Sequence, residues 1–470
     1  MKNNPAAAPT LFVVFGATGD LVGYKIIPAL FHLWSKKKLP EKFRIVGVAR
    51  KDLTNDVFRE NVREYLKKYI GSSDPEACDA FAELCVYSQG YFEEPAAFEK
   101  LKGVLRAIDD GWAQCSSKLF YFATPPAFYE SIARNLASSG LTEPCGGDEG
   151  WTRVIVEKPF GKDLETAEKL DELLGHLFKE SQIYRIDHYL AKEMLQNILA
   201  FRFSNNLFEQ SWTNAVIESI DIRFLETLGV EDRGAFYDGV GALRDVGQNH
   251  MLQMLALVTM EYPVSYEADA VRAARSSLIK TITVPTPEVI LETSERAQYE
   301  GYRAIKGVGE ESTTETYFKI RTSLEVPRWR GVPVTLEVGK RAGAVRKEIV
   351  VTFKHPSPCL CPPSEKVHFK NRVIFQLEPE ERITIQFWAK KPGLEMLMEE
   401  RDFTFTYRAA GMRGQHTDEY EKLLFDCITG DQTLFVSTDE IRAMWQFIDP
   451  IITAWNSGAV PLTFYPPGTK

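Results

Sequence analysis

An unbroken apolar run, Leu11-Phe12-Val13-Val14-Phe15, stops at Gly16-Ala17-Thr18-Gly19-Asp20-Leu21. A short continuous apolar run ending in a glycine turn predicts a strand buried on both faces. Positions 25–34 then follow helical spacing and 43–50 return to a strand pattern, so the chain opens with a strand–helix–strand unit built on glycines. Two further buried-strand patterns, 118–126 and 152–161, flank a helical stretch at 128–136, with a turn expected at Cys145-Gly146-Gly147-Asp148. Strands alternating with helices imply a parallel sheet, in which ligands bind beyond the carboxyl ends of the strands. A long amphipathic helix is expected over 163–179, with Leu164, Ala167, Leu170, Leu174 and Leu177 among its apolar positions.

Past Ser211 the pattern changes. A strand is expected at 216–224, a glycine-rich connector at 229–241, and an apolar helix at 243–260 that carries His250. Between 317 and 408 strand-like runs such as 332–338 and 382–388 follow one another, and helices return at 417–429 and 438–455. Strands clustered without intervening helices predict an α+β unit on a mainly antiparallel sheet. The fold class is therefore an α/β N-terminal domain, placed at 1–186, followed by an α+β domain at 187–470.

Composition narrows the partners. With 470 residues, 44% hydrophobic and 26% charged, the chain reads as a soluble globular protein of several domains. A formal charge of −9 argues against nucleic acid and anionic membranes, which call for a basic face. Any anion must meet a local cluster of cations. Residues 1–5 and the alanines after them lack the apolar core of a secretion signal, and no run approaches the roughly 18 apolar residues of a membrane span. A cytoplasmic location is expected, and seven scattered cysteines fit a reducing compartment. The one close pair, Cys359 and Cys361, has no second pair to complete a zinc site, so no metal is expected.

Chemistry concentrates at Tyr184-Arg-Ile-Asp-His-Tyr-Leu-Ala-Lys-Glu193. If a helix begins near Asp187, His188 and Lys192 stand four apart on one face and a phosphate can bridge them, while Asp187 points elsewhere at about 100° per residue. The alternative is a helix start with Asp187 as N-cap and a solvated face beyond it. The turn at Gly16, Thr18, Gly19, Asp20 and Leu21 follows a strand and precedes a helix, the context for a dinucleotide whose pyrophosphate rests on the helix N-terminus. Arg50 and Lys51 close the second strand where an NAD site usually places a carboxylate, which favours a 2′-phosphate and hence NADP; a solvated pair is the alternative. Lys158 lies at a strand end before a proline, facing the same crevice.

Taken together these motifs resemble the glucose-6-phosphate dehydrogenase family. The resemblance adds Gly47-Val48-Ala49-Arg50, Phe120 to Pro126, Glu157-Lys158-Pro159-Phe160-Gly161, Arg244-Asp245, Gln248-Asn249-His250, Trp329-Arg330-Gly331-Val332-Pro333 and Gly339-Lys340, in the family's order over most of the chain. It implies a Rossmann-like first domain, a second domain that dimerises through its large sheet, and a homodimer or homotetramer. It implies oxidation of glucose 6-phosphate at C1 with NADP as hydride acceptor. By the resemblance His250 is the general base and Asp187 its partner; His188 and Lys192 hold the phosphate with Tyr189 close by; Lys158, Glu226, Asp245 and Lys340 surround the sugar. A histidine base titrating near neutrality and oriented by a carboxylate suits loss of the hydroxyl proton.

Some positions depart from the family pattern. Ala191 replaces a usual glycine, Val22-Gly23-Tyr24 stand where basic residues usually precede Lys25, and Arg346, the nearest candidate for a second cation near Lys340, is displaced by about one position. The proline after Lys158 is cis by resemblance. Two other functions compete. A glucose–fructose oxidoreductase type of sugar dehydrogenase shares the Glu-Lys-Pro strand end but lacks the Asp-His-Tyr-Leu-x-Lys motif. A catalytically silent NADP-binding regulator would have lost Asp187, Lys158 or His250, and all three are present.

Overall fold

A computed structural model describes residues 8–71, 74–144, 150–358, 369–406 and 417–469. The expected turn at 145–148 and the Cys359/Cys361 pair lie outside the described residues. The first sheet is built from β1 (Thr10–Phe15), β2 (Phe43–Ala49), β3 (Cys85–Gln89), β4 (Ser117–Phe122), β5 (Thr152–Val156) and β6 (Ile183–Ile186), all mutually parallel in the order β6-β5-β4-β1-β2-β3. Every residue of β1 and β4 is buried, as the continuous apolar runs require of strands covered by helices on both faces. Asp163 caps the Leu164–Leu177 helix, accepting from the Thr166 N–H at 2.8 Å while the Thr166 hydroxyl accepts from the Asp163 N–H at 3.3 Å.

The second sheet gathers β7 (Ile217–Leu225), β8 (Ser294–Tyr299), β9 (Tyr317–Thr322), β10 (Val334–Gly339), β11 (Arg346–Phe353), β12 (Arg372–Glu378), β13 (Arg382–Lys390) and β14 (Met398–Thr406). The last two strands of the chain divide: β15 (Phe435–Val436) pairs antiparallel with β6 in the first sheet, and β16 (Leu462–Tyr465) closes the second beside β8. The second sheet runs β14-β13-β12-β11-β7-β10-β9-β8-β16, and only β7–β10 and β16–β8 are parallel pairs. It is therefore mainly antiparallel, as expected. The Glu419–Thr429 and Thr438–Asn456 helices pack back against Ile27–Ser35 and Leu164–Leu177. One contiguous set of buried side chains runs from Leu11 in β1 through Phe224 in β7 to Trp455.

Two helices differ from expectation. The 188–199 region is not one helix: Asp187 caps a single 3₁₀ turn, His188–Ala191, and Lys192 is extended (φ −64°, ψ 133°) before Glu193–Phe203 begins. Helical i,i+4 spacing therefore does not bring His188 and Lys192 together. The helix through His250 is wound with i→i+5 hydrogen bonds over Leu243–Met251 and becomes α-helical only at Leu252–Thr259. In an α-helix Asp245 and His250 would point about 140° apart, whereas i→i+5 winding brings them onto one side, and such wide turns recur at functional sites. Among the described cysteines Cys78, Cys85 and Cys427 are free, as the reading of a reducing compartment expects, whereas Cys115 is disulfide-bonded and departs from it.

Candidate active site

Strand ends bring the candidate residues together. β5 and β6 are parallel with Val156 opposite Arg185, so the next positions out, Lys158 and Asp187, emerge side by side above the first sheet. The parallel pair β7–β10, with Leu225 opposite Gly339, does the same for Glu226 and Lys340 in the second. Both pairs lie just past strand carboxyl ends, where open sheets bind ligands. The wide helix turn supplies Asp245 and His250.

At the centre, His250 Nδ1 donates to Asp187 Oδ1 at 2.6 Å across 63 residues of sequence, with both side chains buried. The same oxygen accepts the Tyr189 N–H at 3.0 Å, so Asp187 caps the short turn and orients the imidazole at once. Because an ionised carboxylate only accepts, the ring proton sits on Nδ1 and Nε2 presents a lone pair. Lys158 Nζ donates to that nitrogen at 3.1 Å, lies 3.6 Å from Asp245 Oδ1, and also reaches the Asp245 carbonyl. The Lys158–Pro159 bond is cis. Burial holds the His250 imidazole below its ordinary value against the pull of Asp187. Burial pushes the Asp187 carboxyl upward, but the adjacent His250 brings it out below its usual range. Asp187, His188 and His250 place donor atoms within 4.8 Å of one another. Yet Nδ1 of His250 is committed to Asp187 and Nε2 faces an ammonium, so neither nitrogen faces a cation site.

A second cluster adjoins this row. The His188 ring stands edge-on to His250 with centroids 5.1 Å apart, and Tyr189 lies 4.4 Å from His250. Burial, then the neighbouring His250, holds His188 down to about 3, leaving it neutral. Lys192 and Lys347 both stand over the Tyr189 ring, at 5.2 and 6.0 Å, and Lys347 donates to the Tyr189 hydroxyl at 3.3 Å. Glu226 bridges Lys340 and Lys347, each at 2.9 Å. Burial opposes its charge, but the two ammoniums hold it down to about 2.

Lys347 corrects the expectation for Arg346. Along β11 alternate residues face opposite sides, so Lys347 joins Ile349 and Val351 inside while Arg346 points out with 53% of its side chain exposed. That alternation was readable from the sequence. Glu378 and Glu419 carried no comparable signal. Glu157, next to Lys158, accepts from the Tyr121 and Tyr420 hydroxyls at 2.5 and 3.2 Å.

The glycine turn is built from backbone. Gly16 has φ +88°, and a Cβ there would overlap the Ala123 carbonyl oxygen, while the Gly19 N–H donates to the Gly16 carbonyl at 2.9 Å. Thr18 is half-buried, Gly19 and Asp20 are exposed, and Leu21 packs against the core. Only glycine accepts this conformation without strain, and the resulting cradle fits a pyrophosphate. Arg50 and Lys51 lie exposed just past β2. The departure at 22–24 has a packing cause: a Cβ at Gly23 would come within 2.7 Å of the Tyr65 ring, and Lys25 pairs with Asp418 at 3.3 Å. Ala191 is buried at the end of the 3₁₀ turn.

Comparison with known proteins gives two adjoining family matches, "Glucose-6-phosphate dehydrogenase, NAD binding domain" over residues 13–197 and "Glucose-6-phosphate dehydrogenase, C-terminal domain" over 199–470. A curated relative from Aggregatibacter actinomycetemcomitans, glucose-6-phosphate 1-dehydrogenase, is 40% identical over 94% of this chain and 90% of its own. Arabidopsis thaliana glucose-6-phosphate 1-dehydrogenase 6, cytoplasmic, is 36% identical over 97% of this chain and 88% of its own. Among solved structures, a glucose-6-phosphate dehydrogenase in complex with its substrate glucose 6-phosphate superposes with a TM-score of 0.90 at 31% identity, covering 100% of this chain and 96% of the other.

Proposed function

The chain belongs to the glucose-6-phosphate dehydrogenase family, and from that premise we propose that it oxidises the C1 hydroxyl of D-glucose 6-phosphate to 6-phosphogluconolactone, the first step of the oxidative pentose phosphate pathway. The observation that carries this reading is the row Asp187–His250–Lys158, its carboxylate and imidazole buried and its Lys158 ammonium partly exposed, at the carboxyl end of a sheet that also bears a dinucleotide turn. Once Lys158 turns from Nε2 onto the reacting oxygen, His250 Nε2 accepts the C1 hydroxyl proton as hydride departs from the same carbon. Asp187 stabilises the imidazolium so formed, by on the order of 5 kcal/mol if it behaves as other carboxylate–histidine pairs do. Lys158 holds its charge beside the reacting oxygen, and Asp245 and Glu226 accept from the sugar hydroxyls.

His188 and Lys192 take the phosphate end with Tyr189 close by and Lys347 beside them, while Lys340, paired with Glu226, stays with the sugar. This cation cluster is what distinguishes the reading from a dehydrogenase of free sugars. The Gly16–Leu21 turn would hold the pyrophosphate of the nicotinamide cofactor, which when bound would supply the hydride acceptor. Arg50, with Lys51, favours NADP over NAD because two exposed cations meet a 2′-phosphate better than a bare hydroxyl. A homodimer or homotetramer formed through the second sheet is supported by its β13–β14 hairpin, where Leu394 and Met396 of the connecting loop and Phe403 and Phe405 of the edge strand β14 are exposed. A cytoplasmic location is supported by the family's cytoplasmic plant members, and no helix among the described residues is long and apolar enough to cross a membrane. Mixing the pure protein with glucose 6-phosphate and either NADP or NAD, and following nicotinamide absorbance, tests the reading. Reduction faster with NADP is expected, and none with either cofactor refutes it.

A further inference from the structure

The cations that would grip a phosphate are already paired. Lys192 contacts Glu419 at 2.9 Å and Glu378 at 3.9 Å, and Lys347 contacts Glu378 and Glu226, each at 2.9 Å. A dianion arriving at Lys192 therefore meets carboxylates where an unoccupied ammonium would serve it better. The two acids facing Lys192 differ in what else they do. Glu378 bridges both lysines from the end of β12 and so fixes their spacing. Glu419 reaches only Lys192 among them, from the first turn of the Glu419–Thr429 helix, with its side chain 25% exposed.

The residues beside it in sequence are tied elsewhere. Asp418 caps the helix, accepting the Tyr420 N–H at 2.9 Å, and pairs with Lys25 of the first domain, while the Tyr420 hydroxyl donates to Glu157. The helix end is thus held from both sides, which leaves the Glu419 side chain as the part able to turn toward solvent without moving backbone. Resting on the reading above, we propose that Glu419 is a displaceable counter-ion that occupies Lys192 in the free enzyme, competes with the substrate's phosphate, and so sets the apparent affinity for glucose 6-phosphate. Its carboxylate stands in for the phosphate. Substrate binding exchanges one anion for another at Lys192, and the cost of releasing Glu419 weakens binding without entering the hydride step.

Glu419→Gln keeps the shape and removes the charge. The expected result is a fall of about three- to tenfold in KM for glucose 6-phosphate, with a much smaller change in kcat, since one partly buried charge pair is being removed. Inorganic phosphate, titrated by calorimetry and as a competitive inhibitor, should bind tighter by the same factor. KM for free glucose, which carries no phosphate, should stay put. A Glu419→Ala variant with an unchanged melting temperature guards against a folding artefact. An unchanged or raised KM for glucose 6-phosphate, or unchanged phosphate binding, overturns the proposal. Failure of the wild type to turn over glucose 6-phosphate would instead overturn the reading it rests on, and phosphate titration of the two proteins would still compare Glu419 with Gln.

Discussion

The row around His250 and the turn around Gly16 solve different problems with opposite means. The row is centred on the buried Asp187 and His250, and each of its side chains is already engaged: Asp187 with His250 and the Tyr189 amide, the partly exposed Lys158 with His250 and Asp245. The turn is made of backbone, open to solvent, with Arg50 and Lys51 exposed beside it. A proton acceptor has to be desolvated and aimed before the substrate arrives, because water would screen the charges and let the ring rotate. A diphosphate is large, charged and multiply accepting, so exposed amides and a cation suffice to hold it. The first site is therefore brittle toward single side-chain changes, and the second toward backbone changes.

Asp187→Asn tests the brittle site most severely. It should lower kcat by roughly 10⁴-fold while changing substrate KM little, because the imidazole loses its tautomer and its counter-charge; steady-state kinetics showing less than a tenfold loss would mean that preorganisation is not what the row provides. At the turn, Gly16→Ala forces a left-handed conformation costing roughly 1–2 kcal/mol and collides with the Ala123 carbonyl. Cofactor affinity measured by fluorescence titration should drop by about tenfold or more, and equal affinity for the two proteins would contradict a backbone cradle. Arg50→Glu should cut kcat/KM with NADP by about ten- to a hundredfold and leave the value with NAD nearly unchanged. A parallel loss with both cofactors would show that Arg50 does not read the 2′-phosphate.

The smallest effect concerns pH. Burial holds folded His188 near about 3, below the ordinary value of about 6.5, so the unfolded chain binds more protons between those values. Its contribution to stability is whole above about pH 6.5 and is lost as pH falls toward 3. Urea midpoints at pH 7 and pH 5 should differ less for His188→Asn than for the parent. An identical difference would place the acid sensitivity elsewhere, with His250 the next group to test because its imidazole is held down in the same direction.

Much of the architecture was legible because its signals are local. The runs at 11–15 and 118–122, the capped helix after Asp163 and the alternation in β7 name their elements directly. Gly16 announces its turn because no other residue takes φ near +88° freely. Lys347 was legible in principle, since alternation along β11 puts it on the inner face with Ile349. The break at Lys192 was hidden, because helical spacing on both sides of it disguised an extended residue.

What the sequence determined by itself was the strand–helix alternation around the glycine turn, the clustered strands of the second sheet, the glycine cradle and the family motifs, each set by neighbours a few positions apart; β3 and the Asn55–Tyr69, Pro75–Ala82 and Pro95–Trp112 helices were not among its readings. What only the tertiary structure decided was which charges meet. Asp187 reaches His250 because β6 ends beside β5 and a wide helix turn faces them both. Glu419 meets Lys192 across 227 positions because a helix from the end of the chain packs back onto the first domain. Ion pairing depends on distance in space and on the water excluded around it, and neither is written in the local pattern of the chain.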